Sequence, residues 1–198
     1  MRILLINWAR IVDGAQVGGG VNGYCQGLAL ELAGLGHQVA YLSSGVSYSR
    51  PLDVDAMPQF RAAGDFRDGA PHARPVRVFE CVDSPVVAPG IFQFNRPELE
   101  AQSPSLERAF AAFLEDHRVD VVHFHNIEGM SAGCIDVAIA ASSRPRVLFS
   151  LHNYHTVCPQ VYLMQAIPDS SVRAPCRDFR NGHACVECER THDPAVEV

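Results

Sequence analysis

Four histidines and two asparagines close two apolar runs, in a pattern suited to hydrogen-bonding a polar ligand and moving a proton near neutral pH. Val119-Asp120-Val121-Val122-His123-Phe124-His125-Asn126 is one run, and Arg146-Val147-Leu148-Phe149-Ser150-Leu151-His152-Asn153-Tyr154-His155 is the other. Each reads as a strand that turns polar at its carboxyl end, the edge of an open α/β sheet where ligands bind. His123 and His125 stand two apart, so on a strand they share a face. A core histidine satisfied by one hydrogen bond is the plain alternative for either. A histidine metal centre is disfavoured, because no acidic partner accompanies the group.

Gly18-Gly19-Gly20-Val21-Asn22-Gly23 supplies a second candidate site, between the first strand and the first helix. Glycines admit a ligand close to the backbone, and a helix amino end favours anions. The alternative is a flexible loop without a ligand. Gly18, Gly20 and Gly23 match dinucleotide-binding spacing, but the glycines start well after Asn7, and the second strand ends in Leu42-Ser43-Ser44 without a ribose-binding acid. Cys158, Cys176, Cys185 and Cys188 form a third group, with a C-x-x-C at its end. Structural zinc, redox or unligated thiols, and an iron–sulfur cluster are its three readings. Cys25, Cys81 and Cys134 read as small apolar fillers. Glu107 and Glu115 read as part of a solvated helix face.

The elements that must position these residues follow from periodicity. Arg2–Asn7 is a short apolar strand, Asn22–Leu35 a helix with Leu28, Leu32 and Leu35 at helical spacing, and Gln38–Leu42 a second strand. Residues 43–75 read as a long, mobile connection with room for a short helix or a hairpin. Strands are expected at Val76–Val82, Asp120–His125 and Arg146–Leu151. Helices are expected at Ser103–His117, with an apolar stripe of Leu106, Phe110, Phe113 and Leu114, and at Gly129–Ala141. The expected fold is α/β, a doubly wound, mostly parallel, Rossmann-like sheet. Residues 1–157 form its domain, and residues 158–198 a Cys-rich extension.

Composition narrows the function. A net charge of −6 argues against general binding to nucleic acid or an anionic membrane surface. No run approaches the roughly 20 apolar residues of a membrane span. Seven cysteines without a secretion signal point to the cytoplasm. All 16 basic residues are Arg.

Three stretches resemble the amino-terminal half of family 4 glycosyltransferases, which have the GT-B fold. Met1-Arg2-Ile3-Leu4-Leu5, Gly18–Gly20 and the following helix through Gly36-His37-Gln38-Val39 resemble the opening strand, glycine loop, helix and L-x-x-x-G-H-x-V turn. Asp120–Asn126 is similar to the D-V-V-H-x-H-N strand. His152–Pro159 is similar to the H-D-Y-x-x-x-C-P segment, with Asn153 where Asp is common. The resemblance implies retaining transfer of a sugar from a nucleotide-diphosphate donor to an acceptor hydroxyl, with no metal needed for chemistry and any zinc structural. It implies that His152 lines the catalytic cleft. Gly18, Gly19, Gly20, His123, His125, Asn126 and Asn153 would bind substrate. The family's second domain, which holds most of the nucleotide sugar, has no counterpart here, so an acceptor-side half needing a carboxyl-terminal donor-binding domain or subunit is expected. The alternative is a stand-alone zinc-stabilised binding module without catalysis.

Overall fold

The structure, a computed structural model, describes residues 1–53, 55, 57–67, 74–90, 96, 98–158, 163–166, 173–177, 185 and 188. Strand β1 (Arg2–Asn7) is apolar from Ile3 to Ile6 and buried on both faces, so it takes the middle of a sheet. Around it stand β2 (Gln38–Ser47), β3 (Gln59–Phe66), β4 (Val76–Val82), β5 (Val121–Phe124) and β6 (Arg146–Phe149), in the order β3-β4-β2-β1-β5-β6. All neighbours are parallel except β3, which runs antiparallel to β4.

Helices cover both faces. Against one face lies α1 (Gly19–Gly34), packed on Ile3, Leu5, Val39, Tyr41 and Val78. Its buried residues are Asn22, Cys25, Ala29 and Ala33. The expected stripe of Leu28, Leu32 and Leu35 is therefore displaced. Leu28 and Leu32 only flank the contact and Leu35 is 73 % exposed, because small side chains let the helix backbone come closer to the sheet. Against the other face lie α3 (Pro104–His117), with Pro104 opening the helix, and α4 (Gly133–Ala140). Leu106, Phe110, Phe113 and Leu114 form the buried stripe of α3, over Leu4, Ile6, Leu42, Phe79, Val122 and Phe124. A single turn, α2 (Glu98–Ala101), precedes α3.

The order reverses beside β1: β2 and β4 lie on one side, β5 and β6 on the other. This is the switch point of a doubly wound sheet, where a crevice opens beyond the carboxyl ends of the strands.

Several expectations are corrected. The connection expected over residues 43–75 contains the rest of β2 and the whole of β3, which is exposed along most of its length and held by its ladder to β4. Residues 11–16, between the first strand and the glycines, form a short 3-10 segment. The fourth helix is shorter than expected, because Ile127–Ser131 is a buried turn instead.

Two compact units result, Met1–His152 and Asn153–Val198, where sequence reading places the boundary after residue 157. The second unit contains the antiparallel pair β7 (Met164–Ala166) and β8 (Arg173–Pro175). Among the described residues, no helix is long and apolar enough to cross a membrane.

Candidate functional site

At the switch point the last residue of β1, Asn7, is 1 % exposed and must satisfy its amide internally. Its Nδ2 donates to Tyr41 Oη at 3.0 Å and to Asn22 Oδ1 at 3.2 Å, and its Oδ1 accepts from Asn126 Nδ2 at 2.6 Å. Tyr41 in turn has Ala9 O within 2.9 Å as acceptor. Asn22 Nδ2 faces the carbonyls of Arg10, Gly14 and Val17 at 2.9, 2.7 and 3.1 Å. Three carbonyls around one nitrogen fix the orientation of that amide. One chain of three asparagines, joined by Tyr41 from within β2, thus ties the carboxyl ends of β1 and β5 to the amino terminus of α1.

The glycines sit at that terminus. Gly18 adopts φ +80° and precedes the helix, while Gly19 and Gly20 are its first residues, not part of a loop. A Cβ on Gly18 would meet Ala9 Cβ at 2.7 Å, so packing and conformation both demand glycine there. Gly19 and Gly20 are exposed, and a Cβ on either would meet nothing within 4 Å. Gly18 at the N-cap has no side chain to cap the helix, so among the described residues the leading N–H groups lack that partner.

The histidines gather beside it. His123 and His125 share the sheet face that their spacing predicts, with ring centroids 4.0 Å apart. His123 Nε2 pairs with Ser150 Oγ at 2.8 Å, and His125 Nδ1 pairs with His152 Nε2 at 3.2 Å. Tyr24 of α1 places its ring 5.7 Å from His125 and 5.3 Å from His152. Burial, then the neighbouring His123 and His152, push the His125 pKa down to about 3. Burial likewise lowers His123, with a contribution from His152, and burial lowers His152. The trio is therefore neutral at ordinary pH, a set of donors and acceptors rather than a cationic anion trap.

Buried polar atoms normally find partners, so exceptions are informative. Among the described residues, His125 Nε2, Asn126 Oδ1 and Ser43 Oγ are buried without a hydrogen-bond partner, as are Ser103 Oγ and Ser143 Oγ elsewhere in the fold. Ser43 stands beside Asn7 in the β1–β2 register. The first three atoms flank the carboxyl end of β1, Ser43 from within β2 and His125 and Asn126 from just beyond β5. A cavity of about 80 Å³ lined by Arg2, Gln38, Arg77, Phe79, Phe113 and His117 lies at the other end of the sheet, away from this chemistry.

Of the residues expected to act together, His123, His125, Asn126 and His152 converge, and the amide chain links them to Gly18–Gly20. Asn153 belongs to the second unit, where its Oδ1 accepts from the His155 backbone N–H at 3.1 Å and shapes the turn. Cys158, Cys176, Cys185 and Cys188 also belong to that unit. Among the described residues no three His, Cys, Asp or Glu side chains form a group that could hold a metal ion. Cys25, Cys81 and Cys134 are fully buried fillers whose thiols burial pushes up to about 12, 12 and 11.

Glu107 is not on a solvated face. Its carboxylate accepts from Ser103 N at 2.8 Å and Ser131 Oγ at 2.9 Å, tying α3 to the start of α4. Glu115 is exposed and bonds Ser142. Sequence reading missed Asn7, Asn22 and Tyr41. The signal for Asn7 was present, since it too ends an apolar run on a polar residue.

The sequence matches the model of the glycosyl transferase 4-like domain over residues 19–186. No curated protein and no solved structure matches the chain.

Proposed function

The chain belongs to the glycosyltransferase 4-like domain family, and on that premise we propose that it is the acceptor-side half of a retaining glycosyltransferase. The observation that carries the reading is the convergence of His123, His125, Asn126 and His152 with the open amino end of α1, around buried polar atoms that lack partners. Such a crevice suits a ligand bristling with hydroxyl groups, because neutral imidazoles and amides both donate and accept. The exposed N–H groups of Gly19 and Gly20 suit the phosphates of a nucleotide-diphosphate sugar.

In the proposed reaction the acceptor oxygen bonds the anomeric carbon as the bond to the diphosphate oxygen breaks. The acceptor's proton leaves with the departing diphosphate. His152 contacts the transferred sugar and orients it. A second domain or subunit binds most of the donor, no metal is required for chemistry, and the reaction takes place in the cytoplasm.

A transfer assay tests this reading. The full chain is incubated with a panel of nucleotide-diphosphate sugars and hydroxyl acceptors, alone and with a complementing donor-binding domain. Transfer is expected only in the complemented mixture, and His152→Ala is expected to reduce it by about 100-fold or more, the scale for losing one well-placed polar contact to the transition state. Turnover by the isolated chain at ordinary rates, or unchanged turnover in His152→Ala, would overturn it.

A further inference from the structure

We propose that His125 is a positioning residue: it holds neutral His152 with its proton on Nε2, so that His152 Nδ1 is presented as an acceptor to a ligand hydroxyl. The inference rests on the reading of the crevice as a sugar site, and it names which part of the substrate meets His152.

The geometry leaves two arrangements. His125 Nδ1 and His152 Nε2 face each other at 3.2 Å, so one must carry the hydrogen and the other the lone pair. Were His125 the donor, protonation of His152 would set two N–H groups against each other and break the contact. With His152 the donor, the contact survives in both charge states of His152. His125 keeps its lone pair throughout, because burial and the two flanking imidazoles hold its own protonation down to about pH 3. His152 is the less enclosed of the two, and its side chain borders solvent.

Both rings are packed against neighbours. The His125 and His152 rings stack at 28°, with centroids 5.4 Å apart, and Tyr24 lies against both. His123 covers another side of His125 and is itself held by Ser150. His125 then carries its single proton on Nε2, a fully buried atom without a partner among the described residues. Among those residues, its ring nitrogens make their hydrogen bond toward His152. A lone pair on His152 Nδ1 welcomes a hydroxyl hydrogen and repels phosphate oxygens, so the group received at this point is a sugar hydroxyl and not the diphosphate.

Nitrogen-15 spectra of the imidazole rings test the proposal without any ligand. His152 is assigned in the full chain by comparison with His152→Gln, at a pH above its titration. The expected result is a protonated Nε2, an unprotonated Nδ1, and a scalar coupling across the hydrogen bond to His125 Nδ1. His125→Phe keeps an aromatic ring in the site and is expected to leave His152 exchanging between tautomers. A native His152 protonated on Nδ1, or an unchanged single tautomer in His125→Phe, overturns the proposal. Should His125→Phe fail to fold, the native coupling decides, and its absence overturns it. Any of these failures leaves glycosyl transfer standing, because that reading is judged by turnover.

Discussion

Asn126 Nδ2 donates to Asn7 Oδ1 at 2.6 Å across the point where the strand order of the sheet reverses. The bond joins the carboxyl ends of β5 and β1 at the place where a doubly wound sheet leaves its crevice. Through Asn7 it continues to Tyr41 and Asn22, and through Asn22 to the turns that carry the glycines into α1. The same amides therefore fix the crevice floor and the helix terminus beside it.

Asn22 is the member of this chain with the most to lose. Its two Nδ2 hydrogens are surrounded by the carbonyls of Arg10, Gly14 and Val17 and its Oδ1 accepts from Asn7, a combination of donor and acceptor that no other side chain of its size offers. Asn22→Ala strands buried groups and is expected to cost about 2 kcal/mol or more. Asn22→Asp sets carboxylate oxygen against carbonyl oxygen and is expected to cost more than Asn22→Ala at neutral pH. Urea unfolding of the two variants checks the order, and equal losses would refute the donor role.

The depressed His125 pKa makes stability depend on pH in a defined window. Unfolded, His125 titrates near its ordinary 6.5; folded, it titrates near 3. Between those values the unfolded chain binds the proton and the folded chain does not, so stability falls as pH drops from about 6.5 toward 3. One such group contributes a slope of up to about 1.4 kcal/mol per pH unit. His123 and His152, which face it, are shifted in the same direction and steepen the slope. Urea midpoints from pH 4 to 7 are expected to rise in the native chain and to rise less in His125→Phe.

Two glycines offer opposite outcomes for the same substitution. Gly129 has φ +75°, and an added Cβ would lie 2.2 Å from the Ser44 carbonyl oxygen, which is backbone and cannot swing away. Gly129→Ala is expected to cost about 3 kcal/mol or more, from strain and overpacking together. Gly27 lies exposed inside α1 with nothing near its Cβ position, so Gly27→Ala is expected to stabilise by about 0.5–1 kcal/mol. Thermal unfolding of both variants in parallel provides the check.

The strands β1, β4 and β5 and the helix α3 were legible because their buried faces are apolar with the right period. Strand β3 was not. Gln59-Phe60-Arg61-Ala62-Ala63-Gly64-Asp65-Phe66 alternates only weakly, with small residues between its two aromatics, and a bulge between Ala62 and Gly64 sends Phe60 and Phe66 to different core clusters. Its stability comes from backbone pairing with β4, which leaves no trace in side-chain pattern. Within the site, His123, His125 and His152 were legible because histidine is conspicuous at the end of an apolar run. Asn22 was not, since an asparagine in the first turn of a helix commonly serves as a cap, and its carbonyl partners lie in a segment whose turn no periodicity announces.

Glu107 and Gly133 form a coupled pair. An added Cβ on Gly133 would meet Glu107 Oε1 at 2.2 Å, the atom that accepts from Ser103 N and Ser131 Oγ. Gly133→Ala must therefore push the carboxylate out of both bonds, at a cost of about 1–2 kcal/mol, the scale of a lost helix cap. Glu107→Ala loses the same bonds by another route. The double variant is expected to cost clearly less than the sum of the two, and additive losses in a double-mutant cycle would show the pair to be independent.

Gly20 separates a folding role from a binding one. It lies in the first turn of α1, helical and exposed, and a Cβ there meets no protein atom within 4 Å. Gly18 would fail to fold when substituted, because Ala9 occupies the space, and Gly19 holds φ +58°, so neither gives a clean answer. Gly20→Val changes only what approaches the helix from outside, with a stability change expected within about 0.5 kcal/mol. If a phosphate or sugar seats on the leading N–H groups, the added isopropyl blocks it. Transfer in the complemented assay is then expected to drop by at least about tenfold, on the scale of one displaced contact. Native-like transfer by Gly20→Val, together with a native-like melting temperature, would mean that the ligand does not touch the amino end of α1 and that the crevice is occupied from the histidine side alone.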